Sequence, residues 1–559
     1  MWQYNTYILQ LNIVKVFNLW YIYYGEVMSK SKKRKNSTKK KKEKIEITQV
    51  VKNTKKLKRI SLWLLLGVLI LSIGMVKKVF QNDTFYTIKI GELILKNGID
   101  MKDHFSFHMG LPYTYPHWLY DVFIYLVYKL GGYTGIYISS ICLFLILIYL
   151  MYKTILKINK NYFMAVFATL ISTIALAGFV TARAQLVSFI LFILEIYSIE
   201  MFLDSGKKRY LLFLYLIAVL ICNIHLAVWP FYYIIFIPYL AEYIICYFIS
   251  KKKKYNKLDK LLDKKFYLER NDNTKLLFIT MIITLTAGLL TPLHGTPYTY
   301  MIKTMMGNSQ KYIQEHQMIS WKDSPFVIIL ILETLFLSFM TKVKLRDLFM
   351  VSGLTIMAIS AIRHISLLAL IGVLCFARIF YYFFHNNGLD TDKFLDKVFS
   401  HKWAIILFIM IASVASGLLF SNQLQKNYID KTKYPVKATE YILENLDYKK
   451  IHLFNEYNFG SYLLLNDIPV FIDSRADLYT KEFSGRSYDI FDDYEGIVGT
   501  YQTKFKFYDI THALIYKDPK VFYDILKSNS NYKILYEDKY YALFEKLNDE
   551  NIAILKTSN

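Results

Sequence analysis

The chain lacks the cysteine pattern of a disulfide-stabilised extracellular domain. Its four cysteines are Cys142, Cys222, Cys246 and Cys375, and all of them fall in apolar stretches of the sequence. No disulfide framework therefore holds the C-terminal part together. The sequence also lacks a phosphate-binding loop, a dinucleotide-binding glycine fingerprint and a Gly-x-Ser-x-Gly nucleophile motif, and so shows no signature of those three enzyme classes.

A compact metal-binding pattern is also lacking. Among His104, His108, His117, His225 and His294, only His104 and His108 have a His-x-x-x-His spacing, and they lie between the predicted helices and not on one helix. We therefore predict no metal and no cofactor. The sequence contains no internal repeat and no low-complexity linker. A cleavable signal peptide is not expected either, because the first strong apolar run begins only after residue 59.

Long apolar blocks dominate what is present. Of the 559 residues, 54% are hydrophobic and 17% are aromatic. The apolar residues come in blocks of roughly 17–25, the length that crosses a bilayer as a helix. We predict an all-α polytopic membrane bundle over residues 60–420, with about eleven spans near 60–76, 133–153, 161–179, 185–203, 210–226, 228–249, 275–291, 325–341, 345–362, 365–384 and 402–420.

The formal net charge of +24 is concentrated before the first span. Fifteen Lys or Arg residues and only two acids, Glu43 and Glu46, lie between Lys30 and Arg59. Such a segment is retained in the cytosol and attracted to anionic lipid headgroups. No aromatic residues are interleaved for base stacking, so nucleic acid is not an expected partner. Residues 1–59 are predicted to be a basic cytosolic segment, of which 1–27 are either a start-site artefact or a loose interfacial helix.

The positive residues also predict the orientation of the bundle. Five predicted inner connections are rich in Lys and Arg: Lys153, Lys157 and Lys160; Lys207, Lys208 and Arg209; Lys251–Lys254 with Lys264 and Lys265; Lys342, Lys344 and Arg346; and Lys393, Lys397 and Lys402. Positively charged loops stay in the cytosol. With a cytosolic N-terminus and an odd number of spans, residues 421–559 are predicted to be extracytoplasmic.

Two parts of the chain do not read as spans. The first outer loop, residues 77–132, is predicted to carry two interface helices, Thr84–Lys96 and Trp118–Leu130. Residues 421–559 are predicted to form one soluble α/β domain. Its helices are expected at 435–447 and 519–529, and its strands at 451–454, 469–472, 512–516, 532–536 and 541–544.

Polar side chains occur at the predicted outer junctions of the spans. They are Asp83 after span 1, Arg183 in the turn after span 3, His225 after span 5, His294 after span 7, and Arg363 with His364 after span 9. Charged or imidazole groups at the edge of hydrocarbon usually face a cavity and carry function. We expect these groups to converge on one chamber that opens outward. The alternative is that they are ordinary helix-end residues that meet water.

The residue types favour one kind of chemistry. Asp83 is predicted to be a general base that takes a proton from an acceptor hydroxyl, while Arg183 and Arg363 hold a phosphate leaving group. His225, His294 and His364 are predicted to hydrogen-bond donor or acceptor.

Five further residues are candidates with open alternatives. Asp103 and Asp121 are runner-up acids or helix caps. Asp473, Arg475 and Asp477 form a charged turn that suits either sugar or phosphate binding or a self-satisfied set of ion pairs.

Seven motifs and the layout of the chain carry a resemblance to known proteins. The motifs are Asp83–Glu92, Trp118–Asp121, Ala182–Gln185, Asn223–His225, Arg363–His364, Asn455–Tyr462 and Phe471–Tyr479. In layout the chain resembles the GT-C superfamily of membrane glycosyltransferases, and in these motifs it is similar to a group of largely uncharacterised bacterial GT-C-like membrane proteins. This resemblance implies a multi-pass protein of a bacterial plasma membrane. It also implies a polyprenyl-phosphate-linked sugar as donor, and Asp83 as the counterpart of the superfamily's catalytic acid.

The sequence therefore predicts an inverting, metal-independent glycosyltransferase acting at the outer leaflet. Its acceptor would be a cell-surface glycan, polymer or protein. Two alternatives stay open. A transporter or flippase would need Glu195 or Glu333 along a continuous path, and a non-catalytic envelope-assembly protein would need no such arrangement.

Overall fold

The computed structural model describes residues 42–251, 257–268, 270–306, 317–319 and 325–547. Most of the predicted basic segment 1–59, including residues 1–27, lies outside them. From Lys42 onward the basic chain is helical and continues without a break into the first apolar run.

The part of the chain before residue 425 is almost entirely helical. Its helices are α1 (Lys42–Met75), α2 (Asn82–Asn97), α3 (Trp118–Asn159), α4 (Tyr162–Leu176), α5 (Ala184–Ser205), α6 (Arg209–Ile224), α7 (Trp229–Lys251), α8 (Lys257–Lys265), α9 (Thr274–Thr284), α10 (Thr296–Met306), α11 (Pro325–Met340), α12 (Leu345–Ser360), α13 (Val373–Asn386), α14 (Thr391–Phe399) and α15 (Lys402–Leu424). Short helical turns over 362–372 lead directly into α13.

Seven helices within the described residues are long and apolar enough to cross a membrane. They are Asn53–Met75, Trp118–Asn159, Tyr162–Phe179, Ala184–Ser205, Leu226–Lys251, Ile362–Asn386 and Lys402–Leu424. Arg209–Ile224, Thr274–Leu289 and Val327–Met340 are apolar but shorter, and the predicted span at 345–362 corresponds to the 16-residue α12. A helical membrane bundle is thus confirmed in this coarser form, while eleven spans stay a prediction.

The first and last long helices pack closely because their contact is made by small residues. The Ser416 hydroxyl of α15 donates a 2.6 Å hydrogen bond to the Ile70 carbonyl of α1. A Cβ on Gly74 would lie 2.5 Å from the Ser416 carbonyl oxygen, so only glycine fits there. Small residues and interhelical hydrogen bonds are the usual means by which membrane helices approach one another.

The first outer loop is built from α2 and the start of α3. The predicted interface helix and the following span form one helix that is interrupted at Gly132, whose φ of 57° favours glycine. Phe123, Leu126 and Leu130 are exposed before the interruption, which suits an interface helix. Where α2 crosses α3, a Cβ on Gly91 would lie 2.1 Å from the Asp121 carbonyl oxygen.

The C-terminal part is a small α/β unit. Its helices are α16 (Val436–Asn445), α17 (Tyr457–Leu465), α18 (Lys481–Ser484), α19 (Ile490–Glu495), α20 (Ile497–Phe507) and α21 (Val521–Ser528), and its strands are β1 (Leu453–Asn455), β2 (His512–Tyr516), β3 (Tyr532–Glu537) and β4 (Tyr541–Lys546). The sheet order is β1-β2-β4-β3. The β1–β2 pair is parallel, and the β2–β4 and β3–β4 pairs are antiparallel.

The predicted strand at 469–472 is wrong. This segment is extended, but a single bridge joins Val470 to Ser106 of the first outer loop. The Asn455 side chain makes the hydrogen bonds that a neighbouring strand would otherwise make. Its Oδ1 atom accepts from Phe471 N at 2.8 Å, and its Nδ2 atom donates to Ile472 O at 2.7 Å. Side-chain bonds of this kind satisfy the backbone without extending the sheet.

A buried charge network connects four helices of the bundle. Glu200 of α5 contacts Arg346 of α12 at 3.1 Å and Arg378 of α13 at 2.7 Å. Arg346 also contacts Glu242 of α7, and Arg378 contacts Asp347 of α12. Buried charges persist only when they are paired, so this network holds these helices in register.

Candidate functional site

A cavity of about 970 Å³ lies between the helical bundle and the C-terminal α/β unit. Both parts contribute polar side chains to its wall. The bundle and its first outer loop supply Asp83, Tyr86, His117, Arg183, Gln185, Ser188, His225, Arg363, His364 and Ser366, and the C-terminal unit supplies Glu456, Tyr457, Asn458, Arg475, Asp477 and Glu495.

An ion pair between Asp83 and Arg183 stands at one side of the cavity. Asp83 lies in the first turn of α2, and Arg183 immediately precedes α5. The Arg183 Nη2 atom lies 2.5 Å from the Asp83 carboxylate, and both side chains are only partly exposed. The Thr84 hydroxyl donates to the Ala182 carbonyl at 3.0 Å, which fastens the two helix starts together and fixes the pair.

Arg363 and His364 line the same cavity from the turn between α12 and α13. The Arg363 Nε atom donates to His364 Nε2 at 3.5 Å, and His364 Nδ1 donates to the Met357 carbonyl at 3.0 Å. The Ser366 hydroxyl donates to the Arg363 carbonyl and accepts from Gln185 of α5 at 3.2 Å. The turn that carries Arg363 is thereby tied to the helix that follows Arg183.

Two histidines meet at the cavity wall. The His225 ring lies 4.9 Å from the His117 ring, and His225 Nδ1 is 2.8 Å from the Ser188 hydroxyl. His117 is also 3.4 Å from the Tyr86 hydroxyl. Burial lowers the pKa of His117 to about 4, with Asp83 acting in the opposite direction. The His117 imidazole is therefore neutral at physiological pH and can both donate and accept a hydrogen bond.

The C-terminal wall of the cavity begins where α17 meets α2. The Asn82 amide donates to the Tyr457 carbonyl at 2.7 Å, so the residues next to Asp83 and Glu456 are in contact. Glu456 immediately precedes α17, and its Oε1 atom accepts from Tyr516 N at 2.9 Å. Burial raises the pKa of Glu456 to about 7, although the hydrogen bond from Tyr516 N acts against this.

In the predicted charged turn, two of the three residues, Asp473 and Arg475, form an ion pair with each other. Arg475 lies 2.6 Å from Asp103 and 2.7 Å from Asp473, and all three side chains are buried. The Tyr479 hydroxyl donates to the same Asp473 oxygen at 2.6 Å. Arg475 reaches the cavity wall, but Asp473 does not line it. Asp103, the other predicted acid of the first outer loop, pairs with Arg475 in this cluster and does not line the cavity.

Two further predicted residues do not line the cavity. His294 is absent from its wall and is exposed, with a left-handed backbone φ of 55°. Asp121 is fully buried in the crossing of α3 with α2, and neither carboxylate oxygen has a hydrogen-bond partner in the described part of the chain.

The two intramembrane acids of the transporter alternative also lie elsewhere. Glu195 is buried within α5, and Glu333 lies on α11; neither lines the cavity. Within the described ranges, no group of three or more His, Cys, Asp or Glu side chains is arranged to hold a metal ion.

Several residues of the cavity carry no individual prediction from the sequence. Glu456, Tyr457 and Asn458 belong to one of the motifs above, and Gln185 belongs to another. Ser188 lies inside an apolar helix, where a serine has no distinguishing local pattern. The contact between His117 and His225 depends on the path of the chain in three dimensions, which no local sequence pattern gives.

The sequence matches no protein-family model, and it matches no curated protein.

Proposed function

We propose that this chain is a membrane glycosyltransferase of the GT-C type. It would transfer a sugar from a polyprenyl-phosphate-linked donor to a cell-surface acceptor at the outer leaflet of a bacterial plasma membrane. The observation that carries the proposal is the 2.5 Å pair of Asp83 with Arg183 in a cavity that Arg363 also lines.

The proposed reaction uses these three side chains directly. The acceptor hydroxyl gives its proton to the Asp83 carboxylate while its oxygen bonds to the anomeric carbon of the donor sugar. The bond between that carbon and the phosphate oxygen breaks, and the lipid phosphate leaves with the electron pair. Arg183 and Arg363 stabilise the negative charge on the departing phosphate. Attack opposite the leaving group inverts the anomeric centre.

The composition of the wall supports a lipid-linked donor. On the bundle side, Phe189, Phe192, Phe231 and Leu367 line the cavity next to the cationic groups. An apolar lining suits a prenyl chain, and a guanidinium suits a phosphate because it offers several donors in one plane. Arg183 has enough donors to contact Asp83 and a phosphate together.

The alternatives have less support. A transporter or flippase would need a polar path across the bundle, and Glu195 and Glu333 do not line the cavity. A non-catalytic assembly protein would have no need of a base and two arginines in one cavity. We therefore favour the transferase.

The test compares purified full-length wild type with Asp83→Asn in lipid nanodiscs. The measurement is consumption of radiolabelled polyprenyl-phosphate sugar in the presence of a cell-envelope acceptor fraction. We expect Asp83→Asn to lower turnover by about 100-fold or more, since a general base contributes on that order.

Asp467→Asn is the matched control. Asp467 is an exposed acid that pairs with Lys89 at 2.8 Å, it lies outside the cavity, and its left-handed backbone conformation tolerates asparagine. This variant should turn over like wild type. Undiminished turnover by Asp83→Asn removes the proposed base. Failure of wild type to consume any donor favours the assembly protein, and movement of unmodified lipid-linked sugar across a vesicle membrane favours the transporter.

A further inference from the structure

The Ser188 hydroxyl of α5 has two short polar contacts but only one hydrogen. Its oxygen lies 3.1 Å from the Ala184 carbonyl oxygen and 2.8 Å from His225 Nδ1. A carbonyl oxygen can only accept, so the hydroxyl donates to Ala184. Both contacts are then hydrogen bonds only if His225 Nδ1 carries a hydrogen and donates it to the Ser188 oxygen. The structure thereby selects one form of the His225 ring.

The His225 imidazole is also neutral. Burial lowers its pKa well below the usual value, and His117, Arg183 and Arg363 act in the same direction. A neutral imidazole carries a single ring N–H, which in this ring is on Nδ1. The Nε2 atom of His225 is therefore a hydrogen-bond acceptor and cannot donate.

This bare nitrogen faces the cavity, whose wall includes His225. Within the described ranges of the chain no group donates to Nε2, and the atom is not shut off from the cavity. A ligand that covers an acceptor without donating to it leaves that acceptor unpaired, which is unfavourable. The ligand group that meets Nε2 must therefore be a hydrogen-bond donor.

The direction of the Nε2 lone pair is fixed before a ligand binds. Ser188 holds one edge of the ring, and the His117 ring packs at 4.9 Å. Leu226 N donates to the Pro116 carbonyl at 2.9 Å, which joins the chain beside His225 to the chain beside His117. A site built to pair with a hydroxyl or an N–H rejects an analogue that lacks it.

The position of His225 indicates which group of a donor sugar it meets. In the proposed reaction the donor phosphate lies at Arg183 and Arg363, and the charges of both act on the His225 ring. The anomeric carbon bonds to the phosphate oxygen, to the ring oxygen and to C2 of the sugar. The ring oxygen has no hydrogen, so next to the anomeric carbon only the substituent at C2 can donate to a bare nitrogen.

We propose that His225 Nε2 accepts a hydrogen bond from the C2 substituent of the donor sugar. The donor is then a sugar with a hydroxyl or an acetamido N–H at C2, and Ser188 is a positioning residue that acts through His225. This inference rests on the proposed transferase function and names the class of its donor.

The first test concerns the histidine alone and needs no substrate. Solid-state ¹⁵N NMR of full-length protein in nanodiscs distinguishes protonated from bare ring nitrogens, and the signals missing from His225→Phe belong to His225. We expect a protonated Nδ1 and a bare Nε2 in wild type, and a mixture of both ring forms in Ser188→Ala. A protonated Nε2 in wild type overturns the inference. An unchanged His225 ring in Ser188→Ala overturns the role of Ser188.

Ser198→Ala is the matched control for Ser188→Ala. Ser198 lies on the same helix, and its hydroxyl donates to the Leu194 carbonyl at 2.7 Å. It bonds to no histidine in the described part of the chain and does not line the cavity. Its loss should leave the His225 signals as they are in wild type.

The second test measures binding of donor analogues rather than turnover. The probes are the decyl phosphodiesters of glucose, mannose and N-acetylglucosamine, all of which become the 2-deoxyglucose compound when the C2 substituent is removed. They are titrated calorimetrically into full-length protein in nanodiscs, with empty nanodiscs as the blank for the decyl chain. We expect the tightest of the three to bind wild type roughly tenfold more tightly than the 2-deoxy probe.

His225→Phe keeps a flat ring but removes the acceptor, so the preference over the 2-deoxy probe should disappear. His385→Phe is the matched control. His385 is an exposed histidine whose ring stacks on Tyr381 at 5.4 Å, and it does not line the cavity. This variant should keep the preference of wild type.

The outcomes separate this inference from the proposed function. Equal affinity of wild type for the 2-deoxy probe, binding of no probe, or a preference that persists in His225→Phe overturns the inference, even where Asp83→Asn abolishes turnover. A preference that His225→Phe loses and His385→Phe keeps supports it. That result would stand even if Asp83→Asn turned over like wild type.

Discussion

Arg183 shows how much of the site depends on a single side chain. Its guanidinium contacts the Asp83 carboxylate at 2.5 Å and donates to the Gln81 amide oxygen at 3.5 Å. It therefore orients the proposed base before any substrate is bound. In the proposed reaction the same group also stabilises the phosphate as negative charge develops on it.

Replacing Arg183 should impair the chemical step more than binding. For Arg183→Gln we expect kcat to fall by roughly 100- to 1000-fold, the usual effect of removing one stabiliser of developing charge, with a smaller change in KM. Steady-state kinetics with the lipid-linked donor measures both constants.

The control for this prediction is Arg209→Gln. Arg209 is an exposed arginine at the start of α6 that bonds to its neighbour Tyr210 and does not line the cavity. It should keep the kinetics of wild type. A rise in KM at constant kcat in Arg183→Gln would mean that Arg183 only binds donor.

At the scale of elements, the first outer loop and the C-terminal unit meet at a buried joint. The Arg475 guanidinium lies over the rings of Phe105 and Tyr113, at 5.5 and 5.0 Å, and pairs with Asp103 of the loop and Asp473 of its own unit. The joint lets two separate parts of the chain form one cavity. Its parts stabilise one another, since each buried carboxylate needs the guanidinium.

Removing the guanidinium from this joint should destabilise the protein. Arg475→Met leaves Asp103 and Asp473 buried without a cation, which costs about 3–5 kcal/mol of unfolding free energy. Denaturant unfolding in detergent, followed by near-ultraviolet circular dichroism, measures the loss.

Lys504→Met provides the comparison. Lys504 pairs with Asp493 at 2.5 Å but is partly exposed, so its loss should cost about 1 kcal/mol or less. Equal losses for the two variants would contradict the role given to the joint.

At the scale of the whole molecule, the stability of the protein should depend on two histidines whose pKa values are lowered. His108 Nε2 donates to the Phe471 carbonyl at 2.8 Å, and burial lowers the pKa of His108 to about 4 although this hydrogen bond opposes the shift. The pKa of His117 is lowered to about 4 as well, mainly by burial. One histidine lies at the joint with the C-terminal unit and the other at the cavity wall.

Each of the two histidines should therefore lower the free energy of unfolding as the pH drops from about 6.5 to about 4, whereas Glu456, whose pKa is raised to about 7, should act in the opposite direction between about pH 7 and 4.5. Over this window the unfolded chain takes up protons on these histidines and the folded chain does not, so the stabilisation is complete above pH 6.5 and is lost on acidification. Each histidine contributes at most roughly 3 kcal/mol to the change. Melting temperatures of wild type at pH 7.5, 6 and 4.5 give the slope.

His108→Gln is the variant that checks this assignment. Glutamine can still donate to the Phe471 carbonyl but does not titrate, so acidification should cost this variant less stability than it costs wild type. If the melting temperature of His108→Gln changes with pH as it does in wild type, the loss of stability on acidification belongs to other groups.

Local pattern was enough to predict the long apolar helices, two helices of the C-terminal unit and most of the sheet, but it did not predict helices α17 to α20. Apolar runs of sufficient length, the amphipathic stretch that became α2, and the short strands β2 to β4 are all visible within windows of a few residues. These features depend on periodicity and on the length of apolar segments, which the sequence states directly. The segment 469–472 has the same composition but is held by Asn455 and by the outer loop instead of a strand.

Only the tertiary structure decided which side chains share the cavity. The sequence placed Asp83, Arg183 and Arg363 at the ends of helices, and the structure brings all three to one wall, whereas His294 and Asp121 at equivalent sequence positions do not reach it. The direction of a side chain depends on how a helix is rotated and where a turn points, and long-range packing sets both. For the same reason Glu456 became part of the site. It lies close to the start of α2, which is nearly four hundred residues away in the chain.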